Sequence, residues 1–343
     1  MIKSIVKYSL LLGGGILLYV LFYPQKYDVL AFEKRPNTKY WELQNGSKIG
    51  YTLLKGTPSG NKPPIIYLHG GPGGMVSDET IDLLKPIAAK GFDVYLYDQV
   101  GSGHSNRLED VSEYSVSRHK EDLALIVEAI GTEKIILFGH SWGTMLAIDF
   151  FADNAAIVEK IICSGPGPIL PMNRKIGQLN PPDSLSLITP KYSNKEGNEK
   201  AYNLRAKLIR FWATILETKL ASDKEADDFF TYLNSQLSKS TTCDGSGVVE
   251  YRGGGGYYSH VMTVQSFWEV ENKRAKIKDS KVLLLILRGQ CDNQKWGYTQ
   301  EYLNLFPNAQ LKIIEGAGHS IEQRYQDKYI KMMEAFLESS TSI

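Results

Sequence analysis

The chain has 343 residues, a net charge of +1 and 43% hydrophobic content, enough for one large α/β domain carrying an inserted subdomain. Near-neutral charge with no dense Lys/Arg cluster argues against nucleic acid as a partner. Three scattered cysteines, Cys163, Cys243 and Cys291, are too few for a disulfide framework or a zinc site and read as small buried apolar residues.

Lys3 and Lys7 precede an uncharged, mostly apolar run from Tyr8 to Tyr23, which Pro24 ends. With Ile5 and Val6 included and Lys7 snorkelling, the run is long enough for a hydrocarbon core of roughly 30 Å. Basic residues ahead of an apolar segment orient it with the N-terminus inside. The expectation is a signal anchor over residues 1–24, with membrane as a partner and the catalytic domain outside the cytoplasm. Secretion after signal cleavage is the alternative, though Tyr23-Pro24-Gln25-Lys26 is a poor cleavage site.

Tyr40 to Gln44 and Lys48 to Lys55 are alternating runs joined by Asn45-Gly46, a strong hairpin signal. Pro63 to Leu68 reads as a buried strand leading into His69-Gly70-Gly71-Pro72-Gly73-Gly74. Thr80 to Lys90 reads as a helix, Asp93 to Tyr97 as a strand, and Ser117 to Ile130 as a helix stopped by Gly131. Lys134 to Phe150 then reads as strand, tight turn and helix. Its apolar run Ile135 to Phe138 precedes Gly139-His140-Ser141-Trp142-Gly143, which fits G-x-S-x-G, and Met145, Leu146, Ile148 and Phe150 follow. Val158 to Cys163 is the next strand. Such alternation predicts a mostly parallel sheet flanked by helices.

Over residues 168–277 the alternation stops. Amphipathic stretches at Ala201 to Leu220 and Asp223 to Leu237 predict an inserted helical cap, with Gly253 to Gly256 in a loop. Strand Lys281 to Leu287, helix Tyr298 to Leu305, strand Gln310 to Ile314 and helix Gln323 to Leu337 resume the pattern. The sheet domain is therefore expected in two parts, residues 25–167 and 278–343.

A serine in G-x-S-x-G between a strand and a helix sits on a strained turn with its hydroxyl exposed above the sheet. A serine hydroxyl needs a base, and the base needs an orienting group. Two of the six histidines follow Ser141: His260, inside the cap, and His319, in the loop after a strand. The C-terminal edge of an open parallel sheet is where sites form, so His319 is the expected base. Asp292 is the expected acid, in the turn after the strand ending at Leu287. No Asp or Glu lies between Glu159 and Asp183 to offer another after the preceding strand. The oxyanion donors are expected to be the N–H of Trp142 and that of Gly71, with Gly70 as the fallback. The glycine-rich loop lacks a P-loop Lys-Ser/Thr and a dinucleotide fingerprint, so phosphate or dinucleotide binding is disfavoured.

His69-Gly70-Gly71-Pro72-Gly73, Asp98-Gln99-x-Gly101-x-Gly103-x-Ser105, Gly139-His140-Ser141-Trp142-Gly143 and Gly316-Ala317-Gly318-His319-Ser320 together resemble the proline iminopeptidase family of α/β hydrolases. The resemblance covers roughly Tyr40 to Leu337. It implies an α/β-hydrolase fold with a helical cap, and a metal-free and cofactor-free exopeptidase that releases an N-terminal residue, often proline, from a small peptide. It also implies cap carboxylates that hold the substrate's free amine. Two departures stand out: Val100 replaces the arginine of Asp-Gln-Arg-Gly, and the Trp-x-x-Trp-Glu of the cap is reduced to Trp212 with Glu217 one place late. Glu217, Glu250, Trp212, Tyr257 and Trp268 are the candidate substrate-binding residues, with Glu269 a further carboxylate. A carboxylesterase or amidase acting on a small ester or amide is the alternative with the same triad. A non-catalytic binding protein on a hydrolase fold is the alternative of another class.

Overall fold

The computed structural model describes residues 2–58, 60–246 and 252–339. The first helix, α1 (Ile2–Phe22), is exposed along nearly its whole length, and its Ile2–Tyr19 stretch is long and apolar enough to cross a membrane. Strands β1 (Lys39–Glu42) and β2 (Lys48–Leu54) form an antiparallel hairpin. Its turn closes through Leu43 N–H to the Ser47 carbonyl at 2.8 Å, with Gly46 at φ 86°, the conformation for which Asn-Gly is suited.

Then come β3 (Ile65–Leu68), α2 (Asp78–Ala88), β4 (Val94–Tyr97), α3 (Val116–Ile130), β5 (Ile135–His140), α4 (Trp142–Asn154) and β6 (Val158–Ser164). Ser77 caps α2 by accepting from Thr80 N–H at 3.2 Å, and Ser115 caps α3 by accepting from Arg118 N–H at 3.1 Å. Between β6 and β7 (Leu283–Gly289) the described residues form helices α5 (Asn194–Ala201), α6 (Leu204–Leu216), α7 (Asp223–Leu237), α8 (Tyr257–Gln265) and α9 (Arg274–Ile277). The chain returns to the sheet through β7, α10 (Trp296–Leu305), β8 (Ala309–Ile314) and α11 (Gln326–Glu338).

The sheet has eight strands in the order β1-β2-β4-β3-β5-β6-β7-β8. From β4 onward every pairing is parallel. Alternate residues of each strand feed opposite faces. Ile66, Leu68, Ile135 and Leu137 join the core under α3 and α4, with Leu123, Leu146 and Phe150. Ile65, Tyr67, Ile136 and Phe138 join the core under α2 and α11, with Leu84, Met333 and Phe336. Parallel order sends the C-terminal ends of β3, β5, β6, β7 and β8 to one edge, where the cap also sits.

The structure departs from the expectations in four places. The helix expected from Ala201 to Leu220 is shorter, Leu204–Leu216: α5 ends at Ala201, Asn203 caps a new helix by accepting from Ala206 N–H at 2.8 Å, and Glu217 ends it in a left-handed turn. The glycine run opens directly into α8, whose helical period was hidden because Tyr257, Tyr258, Ser259, Val261, Met262 and Thr263 are all buried. The last helix starts at Gln326, after a 3₁₀ turn at Gln323–Tyr325. The cysteine reading is corrected most. Cys163 is free and buried, but Cys243 and Cys291 are disulfide-bonded across a sequence separation of 48, with Cα atoms 5.1 Å apart. That bond joins the cap to the loop after β7, a proximity created by the fold and not by spacing.

The stretch between α1 and β1 runs along the cap. Gln25 N–H donates to Glu225 Oε1 at 2.9 Å, and Gly253 N–H donates to the Leu30 carbonyl at 2.8 Å.

Candidate active site

Ser141 stands at the end of β5 with φ 53° and ψ −117°, a conformation that costs a non-glycine residue about 1–3 kcal/mol. The surroundings hold it there. Its N–H donates to the Ser164 carbonyl at 2.9 Å, and its own carbonyl accepts from Thr144 N–H at 3.0 Å and Thr144 Oγ1 at 2.6 Å. The flanking glycines permit the turn: a Cβ on Gly139 would collide with the Gly143 backbone, and one on Gly143 would collide with the Leu68 carbonyl.

His319 lies in the loop after β8, and Asp292 in the turn after β7. His319 Nδ1–H donates to Asp292 Oδ1 at 2.9 Å, which leaves Nε2 as the acceptor nitrogen. The same carboxylate oxygen accepts from Gln294 N–H at 2.8 Å. Burial pushes the Asp292 carboxyl up, but His319, Arg288 and the Gln294 amide outweigh it and hold it below the usual range. Asp292 Oδ2 is buried without a hydrogen-bond partner among the described residues, with Arg288 Nη1 at 4.0 Å. Ser141 is tied to this pair through β6. Ser164 accepts its N–H, and the next residue, Gly165 at φ 53°, fits against both partners. A Cβ there would lie 2.8 Å from His319 Nδ1 and 3.1 Å from Asp292 Oδ2. The rings of His319 and His140, the residue before Ser141, are 5.1 Å apart.

The cap clamps both loops through a short stretch just after α7. Ser240 O accepts from Asn293 Nδ2 at 3.0 Å, Thr241 O accepts from Ser320 N–H at 3.1 Å, and Cys243 is bonded to Cys291 beside Asp292.

The loop after β3 lies against the serine: a Cβ on Gly70 would come 3.1 Å from Ser141 Cβ. The N–H groups of Gly71 and Trp142, and of the fallback Gly70, have no acceptor among the described residues. Two residues whose roles the motifs did not reveal hold this loop. His69 Nε2 accepts Gln99 N–H at 2.9 Å, so its Nδ1–H donates to the Gly70 carbonyl at 2.8 Å; burial lowers its pKa and keeps it neutral. The Gln99 side chain donates to the His69 carbonyl at 3.1 Å and accepts from Trp142 Nε1 at 2.8 Å. From the cap, His260 Nδ1–H donates to the Pro72 carbonyl at 3.0 Å and Gly256 N–H to the Gly73 carbonyl at 2.7 Å. Burial holds His260 down at about 4, again neutral.

The candidate substrate-binding residues differ in their exposure. Tyr257 is fully buried in the cap core, edge-on to Phe229 at 5.0 Å, so it is a packing residue and not a pocket lining. Trp268 is 54% exposed with the Arg174 guanidinium 5.3 Å over its ring. Trp212 is half-buried on α6, Glu217 is exposed where α6 ends in a left-handed turn, and Glu269 is also exposed. Glu250 lies outside the described residues. The buried cap carboxylates that are described are already taken: Glu225 by Arg205 at 2.8 Å and Asp227 by Arg107 at 2.9 Å. Among the described residues no three His, Cys, Asp or Glu converge to hold a metal ion.

A family model described as alpha/beta hydrolase fold matches residues 63–321. The chain is 26% identical over 304 residues to a proline iminopeptidase of Saccharolobus solfataricus, covering 87% of this chain and 91% of that protein. Among solved structures it is similar to an esterase from a Rhodococcus species, with TM-score 0.58, 15% identity and coverage of 88% and 98%. It is also similar to a proline iminopeptidase of Mycobacterium smegmatis, with TM-score 0.56, 16% identity and coverage of 88% and 97%. At these identities the structural likenesses speak for the fold.

Proposed function

The chain belongs to the α/β-hydrolase family and is a hydrolase, and on that premise we propose that it works through an acyl-enzyme on Ser141. His319 is the general acid and base, and Asp292 orients it. Ser141 Oγ attacks the substrate carbonyl as its proton passes to His319 Nε2. The N–H groups of Trp142 and Gly71 receive the oxyanion. His319 then protonates the leaving group, and water deacylates the serine with His319 as base. The observation that carries this reading is the Asp292–His319 hydrogen bond, linked to the strained Ser141 through Ser164 and Gly165. A fluorophosphonate probe tests it: labelling of the folded protein is expected, and its failure at Ser141 favours the non-catalytic alternative.

The substrate proposed is a short peptide with a free N-terminus, cleaved in the manner of a proline iminopeptidase. The motif resemblance and the relative spanning most of this chain support it. A carboxylesterase or amidase is the second reading, favoured by Glu225 and Asp227 being already paired. A buried ammonium group needs an opposing carboxylate. A peptidase should therefore prefer proline p-nitroanilide over its N-acetyl form by about 2–5 kcal/mol, or roughly 30-fold and more in kcat/KM. Equal rates, with faster p-nitrophenyl butyrate, would leave the esterase.

We further infer that α1 anchors the protein and that the hydrolase domain lies outside the cytoplasm. Lys3 and Lys7 ahead of the apolar run support the orientation. The Cys243–Cys291 disulfide supports the compartment, since such bonds persist where the surroundings are oxidising. Full-length protein should stay with membranes after a carbonate wash; recovery in the soluble fraction removes the anchor.

A further inference from the structure

Helix α6 carries two apolar stripes. Ala206, Ile209 and Ala213 are buried against the rest of the cap. Leu204, Phe211 and Ile215 form a second stripe on the opposite side, 61%, 49% and 64% exposed. Their spacing of seven and four residues keeps them on one helix face. Lys207 and Arg210 run along one edge of that stripe, and neither forms a salt bridge among the described residues. Phe211 and Ile215 of the stripe, with Lys207 and Arg210 of the edge, line an open groove of about 630 Å³ between α5 and α6, together with Asn198, Tyr202 and Thr214.

A soluble cap helix has no use for an outward stripe of this kind, and a contiguous exposed apolar surface marks an interaction site. The place where α1 ends identifies the occupant. Arg205, in the first turn of α6, donates from Nη1 to the Leu21 carbonyl in the last turn of α1 at 2.6 Å. Tyr19 and Tyr23 stack at that same end with ring centroids 4.7 Å apart, where aromatic residues suit a membrane–water interface. If α1 spans the bilayer, the start of α6 is fixed at the bilayer surface. An apolar stripe bordered by lysine and arginine is the pattern of a helix lying in that surface, its apolar side chains among the acyl chains and its cations on anionic headgroups.

We propose that α6 docks the cap on the bilayer through Leu204, Phe211 and Ile215, with Lys207 and Arg210 meeting anionic phospholipid headgroups. The proposal rests on the anchor reading of α1. It predicts that the cap lies flat on the membrane and is not held off it on a flexible tether.

The test uses the full chain in vesicles. Cys163 is buried and Cys243 and Cys291 are paired, so an added surface cysteine is the one labelling site. Ile215→Cys sits at the far end of α6 from the point fixed by Arg205. Glu133→Cys is the control: it is exposed just before β5, at the sheet edge opposite the cap. Each variant is labelled with an environment-sensitive fluorophore, checked for folding by fluorophosphonate labelling, and reconstituted with phosphatidylglycerol and doxyl-labelled phosphatidylcholine. Quenching of the Ile215→Cys label at least twofold above that of Glu133→Cys is expected, weakening when phosphatidylglycerol is omitted. Equal quenching in protein that withstands the carbonate wash overturns the docking and leaves the anchor. Loss of the protein from the vesicles overturns the anchor, and the docking with it. Unchanged quenching in neutral vesicles overturns the role given to Lys207 and Arg210.

Discussion

The indole N–H of Trp142 donates to the side-chain carbonyl of Gln99 at 2.8 Å, deep in the core. Gln99 also donates to the His69 carbonyl. One amide thus joins the first turn of α4 to the loop after β3, and each carries one of the proposed oxyanion donors. A hole made from two separate elements works only if their spacing is held.

Gln99→Leu should therefore lower kcat by about 10- to 100-fold with KM nearly unchanged, as expected when stabilisation specific to the transition state is weakened. It also leaves the buried Trp142 N–H unpaired, at a cost of about 1–3 kcal/mol in stability. Gln99→Glu keeps the acceptor for Trp142 and loses the donor to His69, so its Tm change and its kcat change should part company. Rates are read per active site, titrated with fluorophosphonate. An unchanged kcat in Gln99→Leu would rule the positioning role out.

Ser141 supplies a second prediction. Its hydroxyl makes no cap hydrogen bond to α4, while its backbone is held at positive φ. Removing the hydroxyl therefore costs little stability, and removing Cβ relieves strain. Both Ser141→Ala and Ser141→Gly should lose at least about 10³-fold in kcat. Ser141→Gly should be the more stable of the two by about 1 kcal/mol, the relief of strain exceeding the entropy cost of glycine. Denaturant melts of the pair measure this, and equal midpoints would mean that the turn is not strained.

Which parts of this site could be read from sequence follows from locality. Ser141, Asp292 and His319 each follow an apolar run that becomes a parallel strand, and parallel strands send their C-terminal ends to one edge. Gly139 and Gly143 are spaced by a single turn. By contrast, Gln99, His69 and Trp142 meet only after β3, β4 and β5 are side by side; their identities sat inside the motifs, and their mutual contacts did not. The Cys243–Cys291 pair was hidden for the same reason. Tyr257 shows another limit of locality: an aromatic residue near a site looks the same in sequence whether it lines a pocket or fills a core. It fills the core, beside Phe229 and Phe230.

The disulfide leads to a prediction about the acid. Cys291 precedes Asp292, and its bond to Cys243 closes a loop through part of the cap. A cross-link of this separation stabilises by about 2–4 kcal/mol, chiefly by restricting the unfolded chain. The double variant Cys243→Ser, Cys291→Ser should be less stable by that amount, with a lower Tm, and lose kcat as the Asp292 turn loosens. Cys163→Ser is the control for the thiol changes themselves. Activity and melting that do not respond to reductant would show that the bond is not formed in the protein as produced.

The last prediction concerns pH and Asp122, on α3. It is 1% exposed; Oδ1 accepts from Asn45 Nδ2 at 2.8 Å, and Oδ2 has no hydrogen-bond partner among the described residues. Burial pushes its carboxyl up to about 6, against the opposing pull of Asn45, Ser47 and Arg118. Desolvation wins although Arg118 Nε is only 3.5 Å away. The folded state therefore holds this proton more tightly than the unfolded chain, whose aspartate titrates near 4. Stability from this group is fully present below about pH 4 and is lost as pH rises through about 6, a loss of about 3 kcal/mol. Asp122→Asn keeps the oxygen that faces Asn45 and cannot ionise. Relative to the parent it should gain about 2 kcal/mol between pH 4.5 and pH 7.5, measured by urea unfolding at both. Parallel pH profiles for parent and variant would show that Asp122 is ionised in the folded protein well below pH 6 and that Arg118 wins after all.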